Sequence, residues 1–156
     1  MSKGAVLAML IVASAAWADD AHALACTVSA TSTNFGAYSP FDATALDGTG
    51  NVRVACNEVL GLLVSYTIKL SPGASGSLAA RRMSNGTHSL TYNLYTGSGR
   101  STVWGDGSNG SSVVSDSYLL FVLSVTRDYA VYGRVPASQN VSGGSYADTI
   151  VVTVEY

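Results

Sequence analysis

The clearest alternation of apolar and polar residues in this chain runs over residues 146–156, which read YADTIVVTVEY. Ile150, Val152, Val154 and Tyr156 share one face of this segment, and the residues between them form the other. A period of two is typical of a half-buried β-strand. Because no segment follows it in the sequence, we expect its free side to pair either with an earlier segment or with another molecule.

The same alternation recurs in residues 50–56, 62–71 and 129–135, and Asn85-Gly86 predicts a hairpin turn before a strand that carries Leu90, Tyr92 and Leu94. Residues 118–125 are apolar except for Ser124. Residues 113–117 read as a loop. Seven or eight short strands at this spacing predict an all-β, immunoglobulin-like sandwich.

Composition supports a β-rich exported domain. The chain has 156 residues, about the length of one domain, with 16 glycines, 9 tyrosines and 12% charged residues. The net charge of -2 provides no field that would attract nucleic acid or an anionic membrane, so neither partner is expected.

Residues 1–18 have the pattern of a secretory signal peptide, with Lys3, an apolar run and a small-residue ending at Ala18. The apolar run is too short for a membrane anchor, so no membrane span is expected after cleavage. Cleavage would leave a short tail, residues 19–25, and one domain, residues 26–156. In an oxidising compartment the two cysteines, Cys26 and Cys56, are expected to form a disulfide.

Candidate catalytic and metal-binding residues are few. His88 falls in the predicted turn with no triad partner, and Asp106, Asp116 and Asp128 lack the spacing of a calcium loop. We therefore expect no enzyme activity, no cofactor and no metal.

Two further segments have competing interpretations. Arg81-Arg82 is too small a cluster for a polyanion site, and we expect one of the two to be a solvated strand residue. Residues 95–112 combine aromatic and small polar residues, as sugar-binding loops do, but an ordinary hairpin end with Trp104 folded onto the sandwich is favoured.

An ordered set of motifs resembles the spore coat protein U domain family, which includes the subunits of Csu-type, or archaic, chaperone–usher pili. These motifs are Cys26-Thr27-Val28, Asn34-Phe35-Gly36, residues 49–56, Tyr66-Thr67-Ile68, residues 80–83, Tyr92-Asn93-Leu94-Tyr95, Trp104-Gly105-Asp106-Gly107, residues 132–136 and residues 144–149. The resemblance implies a sandwich that lacks its final strand, completed by a donor strand from another chain. The implied partners are a periplasmic chaperone, an outer-membrane usher and other pilus subunits. The implied location is the periplasm during assembly and then the cell surface, with roles in adhesion and biofilm formation.

The predicted groove is lined or bordered by residues near the last strand and the first bend: Phe35, Tyr146, Ile150, Val152, Val154 and Tyr156. The seven residues after the predicted cleavage site are shorter than the roughly ten that a donor strand needs, which favours a tip-proximal position. Leu120 and Val122, on the second apolar face of residues 118–125, are a possible adhesive patch, unless the 113–117 loop or a guest strand buries them. The alternative is a secreted coat or carbohydrate-binding protein that does not polymerise.

Overall fold

The computed structural model describes residues 25–57, 63–119 and 124–156. In these ranges the chain forms eight strands and a single 3₁₀ turn, Gly73–Ser75. The strands are β1 (Ala25–Asn34), β2 (Leu46–Asn57), β3 (Leu63–Leu70), β4 (Arg81–Ser84), β5 (Ser89–Tyr95), β6 (Val114–Leu119), β7 (Ser124–Val135) and β8 (Val152–Glu155). They form a five-stranded sheet in the order β1-β2-β7-β5-β4 and a three-stranded sheet in the order β6-β3-β8, both antiparallel. The expected all-β, sandwich-like fold is confirmed.

The core lies between the inward rows of the two sheets. In β3, Val64, Tyr66, Ile68 and Leu70 are at most 2% exposed, and the residues between them face outward or are only half-buried. Facing them are apolar side chains of the larger sheet, among them Val52, Val54 and Val135, each at most 1% exposed. Burying one such side chain contributes about 1.5 to 3 kcal/mol, so this alternation is the main determinant of the fold.

Two predicted hairpin features are present. β4 and β5 pair through the turn at Asn85-Gly86, where Gly86 has a φ of 98° and the His88 amide donates to Asn85 Oδ1 over 2.9 Å. Trp104 is fully buried, and its indole N–H donates to the carbonyl oxygen of Ile68 over 3.0 Å. The interpretation of residues 95–112 as a hairpin end with Trp104 folded onto the sandwich is thus confirmed.

The last strand is shorter than the alternation of residues 146–156 suggested. Its ladder with β3 covers only Val152–Glu155. Before it, Ala147 exchanges two backbone hydrogen bonds with Ser84 at the end of β4, and the Ser71 amide donates to the Val151 carbonyl. The segment crosses from the edge of one sheet to the other here, so it alternates without forming one continuous ladder.

The predicted loop at residues 113–117 is wrong, because Val114–Leu119 forms β6 beside β3. Ser115 and Ser117 face solvent while Val114 and Tyr118 pack against the core. The polar residues of the outer face made this strand resemble a loop in the sequence. The apolar run of residues 118–125 begins at the end of β6 and ends at the start of β7, and these two strands belong to different sheets. Leu120 and Val122 lie outside the described residues.

Candidate functional site

A disulfide joins Cys26 of β1 to Cys56 of β2, as the sequence predicts. The two residues are directly paired across the antiparallel ladder, with their Cα atoms 4.0 Å apart. Cys56 belongs to the buried inward row of β2. The bond therefore fastens the edge strand of the larger sheet to the core.

A cavity of about 810 Å³ opens between the end of β1 and residues 141–152, and its floor is the core itself. The lining residues shared with the buried core are Val52, Leu70, Met83, Leu90, Tyr92, Leu94, Val131 and Val135. A hydrophobic core that communicates with an open groove has apolar surface to bury against a further element.

The strand next to this cavity has a free edge. β8 pairs with β3 on one side, and no strand of the described ranges pairs with its other side. A strand edge of this kind exposes unpaired amide and carbonyl groups that can accept an additional strand.

β1, at the edge of the larger sheet, has apolar residues on its inner face that are not buried. Val28 and Ala30 point to the same face as their ladder partners Val54 and Val52, which are fully buried. Val28 is nevertheless 41% exposed and Ala30 is exposed. The smaller sheet thus leaves the inner face of β1 uncovered, and a strand added beside β8 would have apolar surface to cover there.

The structure brings four of the six predicted groove residues together. Phe35, Tyr146, Ile150 and Val152 all line the cavity. Val154 packs against the core without lining the cavity, and Tyr156 is 63% exposed.

Asp148 is a groove residue that the sequence reasoning missed. Its carboxylate accepts hydrogen bonds from the Tyr92 hydroxyl over 2.8 Å and from the Ala74 amide over 3.0 Å. A side chain on Gly73, whose φ is 70°, would overlap this carboxylate. Burial, followed by the hydrogen bond to Asp148, raises the pKa of Tyr92. The alternation places Asp148 on the face shared by Tyr146 and Ile150, but its charge indicated a surface residue and its hydrogen-bond partners are distant in sequence.

Arg81 secures the start of β8 from within the core. It is fully buried and donates to the carbonyl oxygens of Ser71 and Trp104 and to Asn93 Oδ1, over 2.7 to 3.0 Å. Burial lowers the pKa of this guanidinium. Ser71 in turn bonds the amide and the carbonyl of Val151, while Arg82 is the exposed strand residue expected of the pair.

Phe35 lies against a glycine-lined part of the larger sheet. Gly48 and Gly133 are direct ladder partners on the inward face. A Cβ atom on Gly133 would lie 2.6 Å from the Phe35 ring, and one on Gly48 would lie 3.0 Å from it. The ring also meets Tyr92 edge-on, with centroids 5.9 Å apart.

A tyrosine cluster that does not line the cavity joins the two sheets elsewhere. The Tyr66 and Tyr129 hydroxyls lie 2.5 Å apart, and the Tyr129 hydroxyl donates to Asp116 over 2.6 Å. Burial, with the bond to Asp116, raises the pKa of Tyr129. Arg127 stacks on Tyr118 with its guanidinium carbon 5.1 Å from the ring centroid. These contacts are a structural network between β3, β6 and β7.

The residues considered for catalysis and metal binding have local structural partners. Asp106 accepts from the Ser108 amide, Asp116 from Tyr129, and Asp128 from Arg53 and Asn51. His88 is exposed in its turn. Among the described residues, no three histidine, cysteine or acidic side chains converge on a point where they could hold a metal ion. The same residues include no helix with the length and hydropathy to cross a membrane.

Comparison with known proteins identifies relatives of this fold. Protein U of Myxococcus xanthus is 37% identical over 134 residues, which cover 79% of this chain and 70% of that protein. A solved structure, the CsuC–CsuE chaperone–tip adhesion subunit pre-assembly complex from archaic chaperone–usher Csu pili of Acinetobacter baumannii, contains a chain that matches with a TM-score of 0.56. That match covers 86% of this chain but only 40% of the solved chain, at 20% identity, and therefore shows a shared fold. The family model of the Spore Coat Protein U domain matches residues 13–153, and the chain belongs to this family.

Proposed function

We propose that this protein is a structural subunit of an extracellular chaperone–usher pilus that accepts a donor strand from another chain. The observation that carries the proposal is the free edge of β8 beside a cavity whose floor is the hydrophobic core. A guest strand would extend the three-stranded sheet and bury Val28 and Ala30 together with the cavity lining. Its backbone would supply the pairing, and its inward side chains would fill the space.

The proposal names partners for each stage. A periplasmic chaperone fills the groove after export, an outer-membrane usher is the site of exchange, and a neighbouring pilus subunit provides the final strand. The protein passes through the periplasm and functions at the cell surface, without a catalytic role. Genes for a chaperone and an usher beside the gene for this protein would support this assignment against a coat protein that does not polymerise.

The first test adds a guest strand to the full chain. A segment of about twelve residues, with valine at inward and threonine at outward positions, is fused after Tyr156 through a short Asn-Gly loop so that it returns antiparallel along β8. We expect the fusion to be a soluble monomer whose thermal midpoint lies well above that of the unfused protein, because the guest covers exposed core. The matched control fuses the same valines and threonines in two blocks, which cannot present one apolar face.

A pair of variants locates the guest. Val152→Lys places a charge in the cavity and should abolish the gain from the alternating guest, whereas Thr153→Lys, on the exposed face of β8, should leave it intact. The proposal fails if the unfused protein is already a cooperatively folding monomer whose outer β8 amides resist hydrogen exchange.

A finer part of the proposal is surface adhesion, and through it biofilm formation, at or near the tip of the fibre. Its support is an exposed apolar pair on the outer face of the smaller sheet. Leu63 and Leu119 are direct ladder partners, 63% and 50% exposed, although the rest of that face is mostly polar. Leu120 and Val122, the candidate patch from the sequence, lie one and three positions after Leu119.

A further inference from the structure

We propose that Phe35 forms one end of the strand-accepting groove and limits the size of the guest side chain that faces it. This inference rests on the proposed function, since it concerns how the groove selects its guest. It assigns a specificity-determining role to one residue of the cavity lining.

A bulge at the end of β1 brings Phe35 to the inner face of the larger sheet. The β1–β2 ladder shifts register between Thr31 and Asn34, and Gly36, with a φ of 78°, turns the chain directly after Phe35. This bulge carries Phe35 inward from the edge strand. The ring therefore lies over the sheet and lines the cavity.

The sheet beneath the Phe35 ring lacks side chains at several inward positions. Inward positions of β2 and β7 carry apolar side chains at Val52, Val131 and Val135 but lack them at Gly48, Gly50 and Gly133. Contacts of 2.6 to 3.1 Å to the glycine Cβ positions show that Phe35 and Thr33 occupy the space that side chains there would need. The end of β1 and Phe35 thus fill the space that the three glycines of the larger sheet leave without side chains.

The depth of the groove differs along the path of the guest strand. Its inward side chains can extend deep into the core where Val52, Leu70, Leu90 and Val131 form the floor. At Phe35 the aromatic ring covers the sheet and makes the groove shallower, and Tyr92 contacts this ring edge-on. The guest residue that faces Phe35 should therefore have a small side chain, whereas the inward residues that face the deeper floor can have large ones. This difference fixes the register of the guest.

The experiment scans each inward position of the fused guest with alanine, leucine and phenylalanine, in the wild-type chain and in Phe35→Ala. At one position the wild type should lose about 3 °C or more of thermal midpoint when alanine is replaced by phenylalanine. In Phe35→Ala the same replacement should raise the midpoint, because the guest ring enters the vacated space. Phe41→Ala is the matched control, since Phe41 is 94% exposed and its removal should leave the wild-type preference at every position.

A second pair of variants guards against loss of folding. Phe35→Leu opens a smaller space and should shift the preference from alanine towards leucine. Phe35→Ala with Gly133→Val fills the depression from the sheet, provided that Thr33→Ser also removes the methyl group that lies 2.7 Å from the Gly133 Cβ position, and this triple variant should restore the preference for alanine. If the Phe35 variants lower the midpoint equally for all guests, Phe35 is only a core filler and the inference is overturned while the acceptor function stands. If no alternating guest stabilises the wild type beyond the block control, both are overturned.

Discussion

Arg81 is the residue at which burial and charge conflict most strongly in this structure. A guanidinium with no exposed surface keeps its charge here by donating to carbonyl and amide oxygens, none of which is a carboxylate. Desolvation of a charge is costly, so all of these hydrogen bonds are needed to offset it. One of its acceptors is the carbonyl oxygen of Ser71, and Ser71 holds the start of β8 through Val151, so the stability of the groove depends on Arg81.

Replacement of Arg81 by methionine should therefore destabilise the domain. The backbone carbonyls of Ser71 and Trp104 would lose their side-chain donor, and two such groups at about 1 to 3 kcal/mol each give a loss of roughly 2 to 6 kcal/mol. Urea unfolding of the guest-fused protein measures the change. Arg82→Met, one residue away on the exposed face of β4, is the control and should change stability by less than about 0.5 kcal/mol. Equal stability of the two variants would mean that the desolvation cost of Arg81 cancels its hydrogen bonds.

Single residues were predictable from sequence where alternation decides their environment, as for Cys56, Ile150 and Val152. Arg81 and Asp148 were not recognised as buried or groove-lining, because a charged residue within an apolar pattern reads as a surface residue. Their positions depend on acceptors and donors that are distant in sequence, such as Trp104 and Tyr92. Only the folded chain brings these partners together.

Among the elements, β1 depends most on a covalent bond. Most of its side chains are exposed, and among the described strands it pairs only with β2. In the described residues its attachment to the core consists of this ladder, the disulfide at one end and Phe35 just beyond the other. Since β1 is one wall of the cavity, its attachment also determines the shape of the groove.

Removal of the disulfide should weaken this wall. Cys26→Ser with Cys56→Ser releases a constraint across a sequence separation of 30 residues, for which the chain-entropy model gives about 3 to 4 kcal/mol. Urea unfolding should show this loss, and hydrogen exchange should show faster opening of β1 amides than of β3 amides. The wild type in reductant should reproduce the effect, and alkylation without reductant should find no free thiol in the exported protein. Uniform loss of protection in both sheets would contradict a role confined to the β1 edge.

Strand identity was predictable where one face is apolar and the other polar, as in β2, β3 and β7. β6 was missed because its sequence, VSDSYL, is mostly polar and its inward residues include an aspartate that bonds Tyr129. β8 was overestimated because alternation continues through residues whose hydrogen bonds go to Ser84 and Ser71. Periodicity reports which side chains are buried, and it does not report which backbone groups are paired.

At the scale of the whole molecule, the groove and the Leu63–Leu119 pair involve opposite sides of the smaller sheet. Inward residues of β3 and β8, such as Leu70 and Val152, line the cavity, whereas Leu63 and Leu119 point outward from β3 and β6. Assembly and surface contact can therefore be separated by mutation. The proposed guest strand was suggested by the alternation of the final segment, whereas this separation required knowledge of which residues pair.

Variants of Leu63 and Leu119 should affect surface attachment without affecting the groove. Leu63→Thr with Leu119→Thr removes the exposed apolar pair and introduces β-branched residues, which favour strands, so folding and guest binding should be unchanged. Attachment to a hydrophobic surface such as polystyrene should fall several-fold, because the apolar contact area is lost. Ser65→Thr with Ser117→Thr, a ladder pair on the same outward face, is the matched control and should attach like the wild type. Thermal midpoints of the guest-fused variants show whether folding is intact. A variant that folds and still attaches fully would remove the support that this pair gives to adhesion and to a position at the fibre tip, while the strand-acceptor function would be unaffected.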